Sequence, residues 1–351
     1  MKKIYYQKNS LNKIIDIINK HNINNIFLVT GNKSYSLSGA KKSVEKLLKN
    51  KQIYRFSEFS TNPKYEDVLK GIEKLRESQC EIIIAIGGGS VIDMAKLINV
   101  FSQSNNAQFT SAPIIKNKLL PFIAIPTTAG SGSEATHFAV VYNQHKKYSI
   151  VNENLIPTYT ILDYSLLDNI SNKQFAISAL DALSHSIESY WAKTATKTSK
   201  KYASFAIKLI LKAIKEKDKK TMLLAAHLAG KSINITKTTG AHAASYYLTS
   251  NHNIPHGLAV ALLMPSFIKY NSNAISKKLL NMFNCNSVDD FICIFNKIIE
   301  SFELSTKFSF HNINKNHLQL IIDNINNERM KNNPIPFNKT KLYNILLSGF
   351  K

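Results

Sequence analysis

Cysteine is scarce in this chain: Cys80, Cys285 and Cys293 stand far apart, with no C-x-x-C pair. That excludes a disulfide framework and marks the three thiols as reduced, buried side chains rather than metal ligands. Long apolar runs are missing too. No stretch of eighteen uncharged apolar residues occurs, and Met1-Lys2-Lys3-Ile4-Tyr5-Tyr6-Gln7-Lys8 lacks the apolar core of a secretory signal, so the expectation is a soluble cytoplasmic protein without a membrane partner. Arginine is nearly absent: of 45 basic residues only Arg55, Arg76 and Arg329 are arginines and the other 42 are lysines. Acids are also few, leaving a formal net charge of +22. Such a charge first suggests a polyanion, but base readout and bidentate phosphate contacts favour arginine's planar fork. The lysines are scattered through a chain rich in Asn and Ile, so a composition bias on a solvated surface explains them, and no nucleic-acid partner is expected. A positive field remains, and it draws in anionic cofactors and substrates.

What is present is enough chain for two domains, 351 residues of which 44% are hydrophobic. The first half alternates strand-like and helix-like segments at the spacing of a parallel sheet with crossover helices. Strands are predicted over 25–30, 52–56, 81–86, 121–125, 138–142, 148–151 and 159–162. Helices are predicted over 11–20, 36–49, 65–78 and 90–101. This is a doubly wound α/β pattern. Beyond Asp163 the strand signals fade, and 177–192, 202–215 and 221–232 carry apolar residues at helical spacing. The division is therefore 1–166 for a dinucleotide-binding α/β domain and 167–351 for a helical domain, with an Asn-rich, loop-heavy stretch over 312–338.

Two Gly-rich loops follow apolar strands. The run Glu81 to Ile86 leads into Gly87-Gly88-Gly89-Ser90 and then a helical stretch containing Asp93. Glycines admit a pyrophosphate to the backbone, and the amides and dipole of a helix start stabilise its charge. The pattern is not G-x-G-x-x-G, and a strand-to-helix turn of this kind also serves as a bare tight turn. A second loop, Pro126-Thr127-Thr128-Ala129-Gly130-Ser131-Gly132-Ser133-Glu134, supplies hydroxyls and amides after the next strand. Ligands of open α/β sheets bind outside the carboxyl ends of the strands, which is where both loops fall.

The helical half holds a different chemistry. Asp181 and His185 are four residues apart in a predicted helix, so both side chains share one face and can share an ion. An isolated pair of this kind is more often a surface ion pair. With His242 and His256 it becomes an N3O set suited to Fe(II), or to Zn(II), with a position left open for substrate. His227 has no assigned role, and His252 is an alternative fourth ligand.

At these residues the sequence resembles the iron-containing (group III) alcohol dehydrogenases. Gly87 to Lys96 is similar to the family's GGGSxxDxAK segment and Pro126 to Glu134 to its PTTAGTGSE segment; Asp181-x3-His185, His242 and Pro255-His256-Gly257 match its metal ligands in order and spacing. The likeness covers most of 25–270. It implies a Rossmann-like N-terminal domain followed by an all-helical one, the dehydroquinate synthase-like fold, with the active site in the cleft between them. It further implies that Gly87, Gly88, Gly89 and Ser90 hold the pyrophosphate, with Asp93, Thr127, Thr128, Ser131, Ser133 and Lys147 also at the cofactor. Asp181, His185, His242 and His256 would bind the metal. Homo-oligomers, dimers first, are common in the family.

Two departures refine the expectation. Where many members carry an acid after the first cofactor strand, this chain reads Leu28-Val29-Thr30-Gly31-Asn32-Lys33; Gly31 removes the repulsion of a 2′-phosphate and Lys33 attracts one, so NADPH is expected to be accepted alongside or ahead of NADH. Where many have a second histidine four residues after the third ligand, this chain has Tyr246. Residues 235–250 resemble the phosphonoacetaldehyde reductases, which form 2-hydroxyethylphosphonate, and Lys237, Thr238, Thr239 and Ser245 would suit a phosphonate dianion. Tyr246 and Lys237 are the expected catalytic residues, with water or a cofactor hydroxyl as alternatives to Tyr246 as proton donor, and the expected substrate is a small anionic aldehyde or its alcohol. Competing readings are a glycerol-type dehydrogenase or dehydroquinate synthase of the same fold, and a basic nucleic-acid binder on a vestigial scaffold.

Overall fold

The computed structural model describes residues 2–104, 109–110, 112–115, 118–144 and 146–350. By internal contacts it divides into Met1–Ile170 and Ser171–Lys351. The division falls four residues beyond the expected 166, just before the helix that Ser171 caps.

The first unit contains strands β1 (Lys3–Tyr6), β2 (Asn25–Thr30), β3 (Gln52–Phe56), β4 (Ile82–Gly87), β5 (Phe122–Pro126), β6 (Phe138–Asn143), β7 (Lys146–Val151) and β8 (Tyr159–Leu162). Its helices are α1 (Lys13–Lys20), α2 (Ser34–Leu37), α3 (Ala40–Leu47), α4 (Tyr65–Ser78) and α5 (Gly89–Ser102). Six strands form a parallel sheet in the order β1-β8-β5-β4-β2-β3, and β6 and β7 make a separate antiparallel pair. Side chains alternate across a strand, so an apolar run must be covered on both faces. Phe27, Val29, Ile83, Ala85 and Phe122 join one core with Val68, Leu75 and Leu97. Their neighbours Ile26, Leu28, Ile82, Ile84 and Ile123 join the other with Ile14, Ile18 and Val44. Strand order reverses between β2 and β4, so the carboxyl ends of those two strands flank the switch point at which such sheets bind ligands.

Cys80 and Cys285 are buried as expected, but Cys293 is exposed. Two differences in the elements of the first unit have simple causes. The single helix expected over 36–49 is two, α2 and α3, divided at Gly39, whose φ of 77° no right-handed helix can contain. The edge strand β1 was not expected; its four residues are exposed or half-buried and carry no apolar alternation.

The second unit is helical: α6 (Asn172–Trp191), α7 (Lys197–Glu216), α8 (Lys219–Thr236), α9 (Gly240–Asn251), α10 (His256–Tyr270), α11 (Lys277–Met282), α12 (Val288–Glu300), α13 (Lys315–Asp323), α14 (Asn327–Lys331) and α15 (Lys339–Ser348). The helix α6 is the axis of this unit, buried continuously from Phe175 to Trp191 and packed by α7, α8 and α10. The stretch 312–338 is not loop-heavy as expected. It carries α13 and α14, because Asn314, Asn326 and Asn338 act as N-caps whose side chains accept backbone amides of the helices they open. Among the described residues no helix is long and apolar enough to cross a membrane.

Candidate metal centre and dinucleotide cradle

In the first unit β4 runs directly through Gly87 and Gly88 into α5, with Gly88 in extended conformation as the N-cap. The loop after β5 lies alongside, since the Thr127 amide donates to the Gly87 carbonyl at 2.9 Å. The two loops touch so closely that a Cβ on Gly89 would stand 2.7 Å from Ser131 Oγ. The buried Thr127 hydroxyl has no hydrogen-bond partner among the described residues, an unsatisfied group of the kind a bound ligand completes. Asp93 and Ser133 are hydrogen-bonded to each other, and the second Asp93 oxygen accepts the Val140 amide at 2.9 Å. Ser90 donates to the Thr61 carbonyl. These three side chains shape the cradle through protein contacts, while Lys147, on β7, is close enough for its charge to act on Asp93.

Lys96 was not singled out by the sequence, although it closes the first motif. Its buried Nζ donates to Ser133 O at 2.6 Å, Thr136 O at 2.8 Å, Thr136 Oγ1 at 3.0 Å and Phe138 O at 3.0 Å. One cation thereby ties the second loop to α5. Burial pushes its ammonium down to about 8, against the opposing charges of Asp93 and Glu134.

In the second unit Asp181, His185 and Glu188 follow the stride i, i+4, i+7 along one face of α6. The start of α9 brings His242 to that face. Asp181, His185 and His242 are all buried, and one donor atom from each lies within 4.8 Å of the others. Asp181 Oδ1 is 3.5 Å from His242 Nε2 and 3.8 Å from His185 Nε2. These separations are too long for good hydrogen bonds, whereas ligand atoms about 2.1 Å from a tetrahedral ion lie about 3.4 Å apart. Asp181 Oδ1 and His242 Nε2 are also among the buried atoms with no hydrogen-bond partner. The residues therefore fit a divalent cation. His185 and His242 are stacked with centroids 4.5 Å apart, and His256 meets His242 edge-on at 5.5 Å, outside the 4.8 Å group but beside it. His252, the alternative ligand, packs instead against His317 and Tyr247.

The reason His256 stands where it does is Gly257. A Cβ there would lie 2.2 Å from the Ile177 carbonyl and 2.9 Å from Asp181 Cβ, so only glycine lets α10 begin against α6. Burial alone would raise the Asp181 carboxyl, but His185, His242 and His256 hold it well below the usual range. Burial lowers the His185 imidazole to about 4, leaving it neutral at pH 7, the form that binds a metal.

Glu188 is the residue the sequence reading passed over. Its fully buried carboxylate accepts the amides of Thr239 (3.1 Å), Ala241 (2.8 Å) and His242 (3.2 Å), and lies 2.5 Å from His242 Nδ1. It caps the N-terminus of α9 and holds the imidazole with Nδ1 as donor, which leaves the Nε2 lone pair facing Asp181. The signal was available as the third carboxylate-or-imidazole position on the α6 stripe.

Tyr246 lies one turn beyond His242 on α9. Burial raises its phenol, and the hydrogen-bonded Arg329 guanidinium opposes the rise. Arg329 is buried on α14, and that helix is fastened to α9 by the Asn326 amide on the Ala243 carbonyl at 3.2 Å. Lys237 does not join this group: its Nζ pairs with Glu328 at 2.6 Å in an exposed salt bridge. Thr239 accepts the Trp191 indole at 2.9 Å, and Ser245 donates to the His242 carbonyl at 2.9 Å.

The chain is similar to known proteins over its whole length. Residues 1–164 match the family model described as iron-containing alcohol dehydrogenase, and 175–350 match the C-terminal model of the Fe-containing alcohol dehydrogenase family. A probable alcohol dehydrogenase, EutG, of Escherichia coli strain K12 is 34% identical over 60% of this chain and 56% of its own. The chain spans only about three fifths of several such curated relatives. An NADPH-dependent butanol dehydrogenase of Clostridium saccharobutylicum is 29% identical over 97% of this chain and 95% of its own. The crystal structure of a sulfoacetaldehyde reductase from Bifidobacterium kashiwanohense in complex with NAD+ superposes with a TM-score of 0.88 at 26% identity, covering 99% of this chain and 96% of that one.

Proposed function

The chain belongs to the iron-containing alcohol dehydrogenase family, and from that premise we propose that it is a metal-dependent, nicotinamide-linked aldehyde reductase that converts phosphonoacetaldehyde to 2-hydroxyethylphosphonate. The observation that carries the redox part is the Asp181, His185, His242 group, whose buried oxygen and imidazole nitrogen have no other partner. These three residues hold the ion with His256 beside them, and Gly87 to Ser90 with Thr127 and Thr128 hold the dinucleotide, with Gly31 and Lys33 accepting a 2′-phosphate. When bound, the ion supplies Lewis acidity to the carbonyl oxygen and the reduced nicotinamide supplies hydride. Glu188 keeps the His242 ring aimed. Tyr246, its phenol raised by burial, holds a proton at Oη at neutral pH and is the donor to the product oxygen.

The anionic substrate rests on a cation. Lys237 stands in an exposed salt bridge with Glu328, whereas Arg329 is a buried cation hydrogen-bonded to the Tyr246 phenol, and it takes the role of binding the phosphonate. The sulfonate named for the similar reductase is a dissociated anion of the same kind. The same reading places the protein in the cytoplasm as a homo-oligomer, a dimer first.

The test is initial-rate reduction of phosphonoacetaldehyde, sulfoacetaldehyde and propanal by the Fe(II)- or Zn(II)-loaded enzyme with NADPH and with NADH. The expected result is a kcat/KM for phosphonoacetaldehyde well above that for propanal. Equal rates would leave a dehydrogenase for neutral aldehydes, and activity undiminished by removing the metal would overturn the assignment altogether.

A further inference from the structure

We propose that Arg55 reads the 2′-phosphate of NADPH. The inference rests on the dinucleotide reading of the Gly87 loop and concerns a residue outside every motif. Parallel pairing sets Arg55 on β3 opposite Leu28 on β2, and the side chain runs forward so that Nε donates to Thr30 Oγ1 at 2.8 Å. Thr30 is the last residue of β2, at the switch-point edge of the sheet. The guanidinium carbon lies 5.1 Å from the centroid of the fully buried Tyr35 ring, a cation–π contact that adds a second anchor. Anchored in this way, the guanidinium has no further hydrogen-bond or ion-pair partner among the described residues. The side chain is half-buried, and the residue it grips, Thr30, leads directly into Gly31, Asn32 and Lys33.

The surroundings admit an anion there and keep a carboxylate away. Gly31 carries no carboxylate where β2 ends, and the Ser34 hydroxyl stands against the turn, 2.1 Å from where a Cβ on Gly31 would lie. Composition adds an independent argument. In a chain that uses lysine at 42 of 45 basic positions, an arginine stands at 55, where a planar, two-pronged donor would be needed. A fork matches a phosphate by two parallel hydrogen bonds, which an ammonium cannot supply. NADH presents only a ribose hydroxyl at that point, so the fork discriminates between the two dinucleotides.

Binding is measured without turnover, by titrating the purified chain with NADPH and NADH through reduced-nicotinamide fluorescence, and with 2′,5′-ADP and 5′-ADP by calorimetry. The chain is expected to prefer the 2′-phosphorylated member of each pair. R55Q should weaken NADPH and 2′,5′-ADP by about tenfold or more while leaving NADH and 5′-ADP within about twofold. R55K, which keeps the charge and the fold but not the fork, should fall between the two. Equal weakening of both dinucleotides in R55Q and R55K would make Arg55 a packing residue and overturn the proposal. So would an intact NADPH preference in R55Q that disappears instead in K33Q, with the dinucleotide reading unharmed. A parent chain that binds both dinucleotides alike removes the 2′-phosphate site, and one that binds neither removes the dehydrogenase reading itself.

Discussion

Two buried charges, Glu188 and Lys96, do their work through backbone groups rather than through ligands. Glu188 satisfies three amides at the start of α9 and orients His242. Glu188→Gln keeps the size but offers one acceptor oxygen where two are in use, so metal affinity should fall about 10–100-fold, read by calorimetry with Zn(II) alone; unchanged affinity would make the contact incidental. Lys96→Met removes the charged donor shared by the carbonyls of Ser133, Thr136 and Phe138, leaving Ser133 and Phe138 only their contacts with Thr136, at a cost of about 2–4 kcal/mol in urea unfolding. The pH dependence has a definite sign. The native ammonium releases its proton near 8 while the unfolded one holds it to 10.5, so between those values the unfolded chain binds more protons. Stability from this group therefore rises with pH across that window and is flat below it, a slope that Lys96→Met should abolish. Asp181, His185, His242 and the two Gly-rich loops were legible because their residue types recur at fixed spacings. Glu188, Arg329 and Arg55 were not, because each acts through a fold contact between segments 25 to 54 residues apart or more, or through burial, neither of which leaves a local pattern.

Among the elements, long amphipathic or wholly apolar segments were read within a few residues: β2, β3, α4 and β8 run over the expected residues. Failures cluster where side-chain chemistry competes with composition. Asn-rich sequence looks like loop, yet each asparagine at 314, 326 and 338 is the cap that starts a helix. The approach of α10 to α6 is set by Gly257. Gly257→Ala should force the helices apart, costing about 1–3 kcal/mol of stability and lowering Zn(II) affinity through the displacement of Asp181. Thermal melts with and without Zn(II) measure both, and a variant melting as the parent does, with the same Zn(II)-induced shift, would show that the contact relaxes freely.

For the whole chain, charge is the property that composition states and packing does not modify. A net +22 gives long-range attraction for a dianionic aldehyde and for the dinucleotide. Raising salt from about 0.1 M to about 1 M shortens the screening length from about 10 Å to about 3 Å. KM for phosphonoacetaldehyde should then rise several-fold while KM for propanal stays level; parallel behaviour of the two would count against an anion-binding site. Fold class was readable at this scale because sheet and bundle halves differ in periodicity, whereas the burial of Arg329 beside Tyr246 and the surface pairing of Lys237 appear only in the folded chain.

The hydrogen bonds of Glu188 to the first amides of α9 and to His242 couple the start of that helix to the aim of the imidazole. Its carboxyl is held below the ordinary glutamate value, so its contribution persists above pH 4.5 and vanishes as acid drives the pH beneath that. One proton arriving there frays the helix and lets the ring swing at the same moment. Acid titration should therefore show cation release, followed with a colorimetric chelator, and loss of helical ellipticity sharing a single midpoint, whereas in the Gln variant the two curves should come apart.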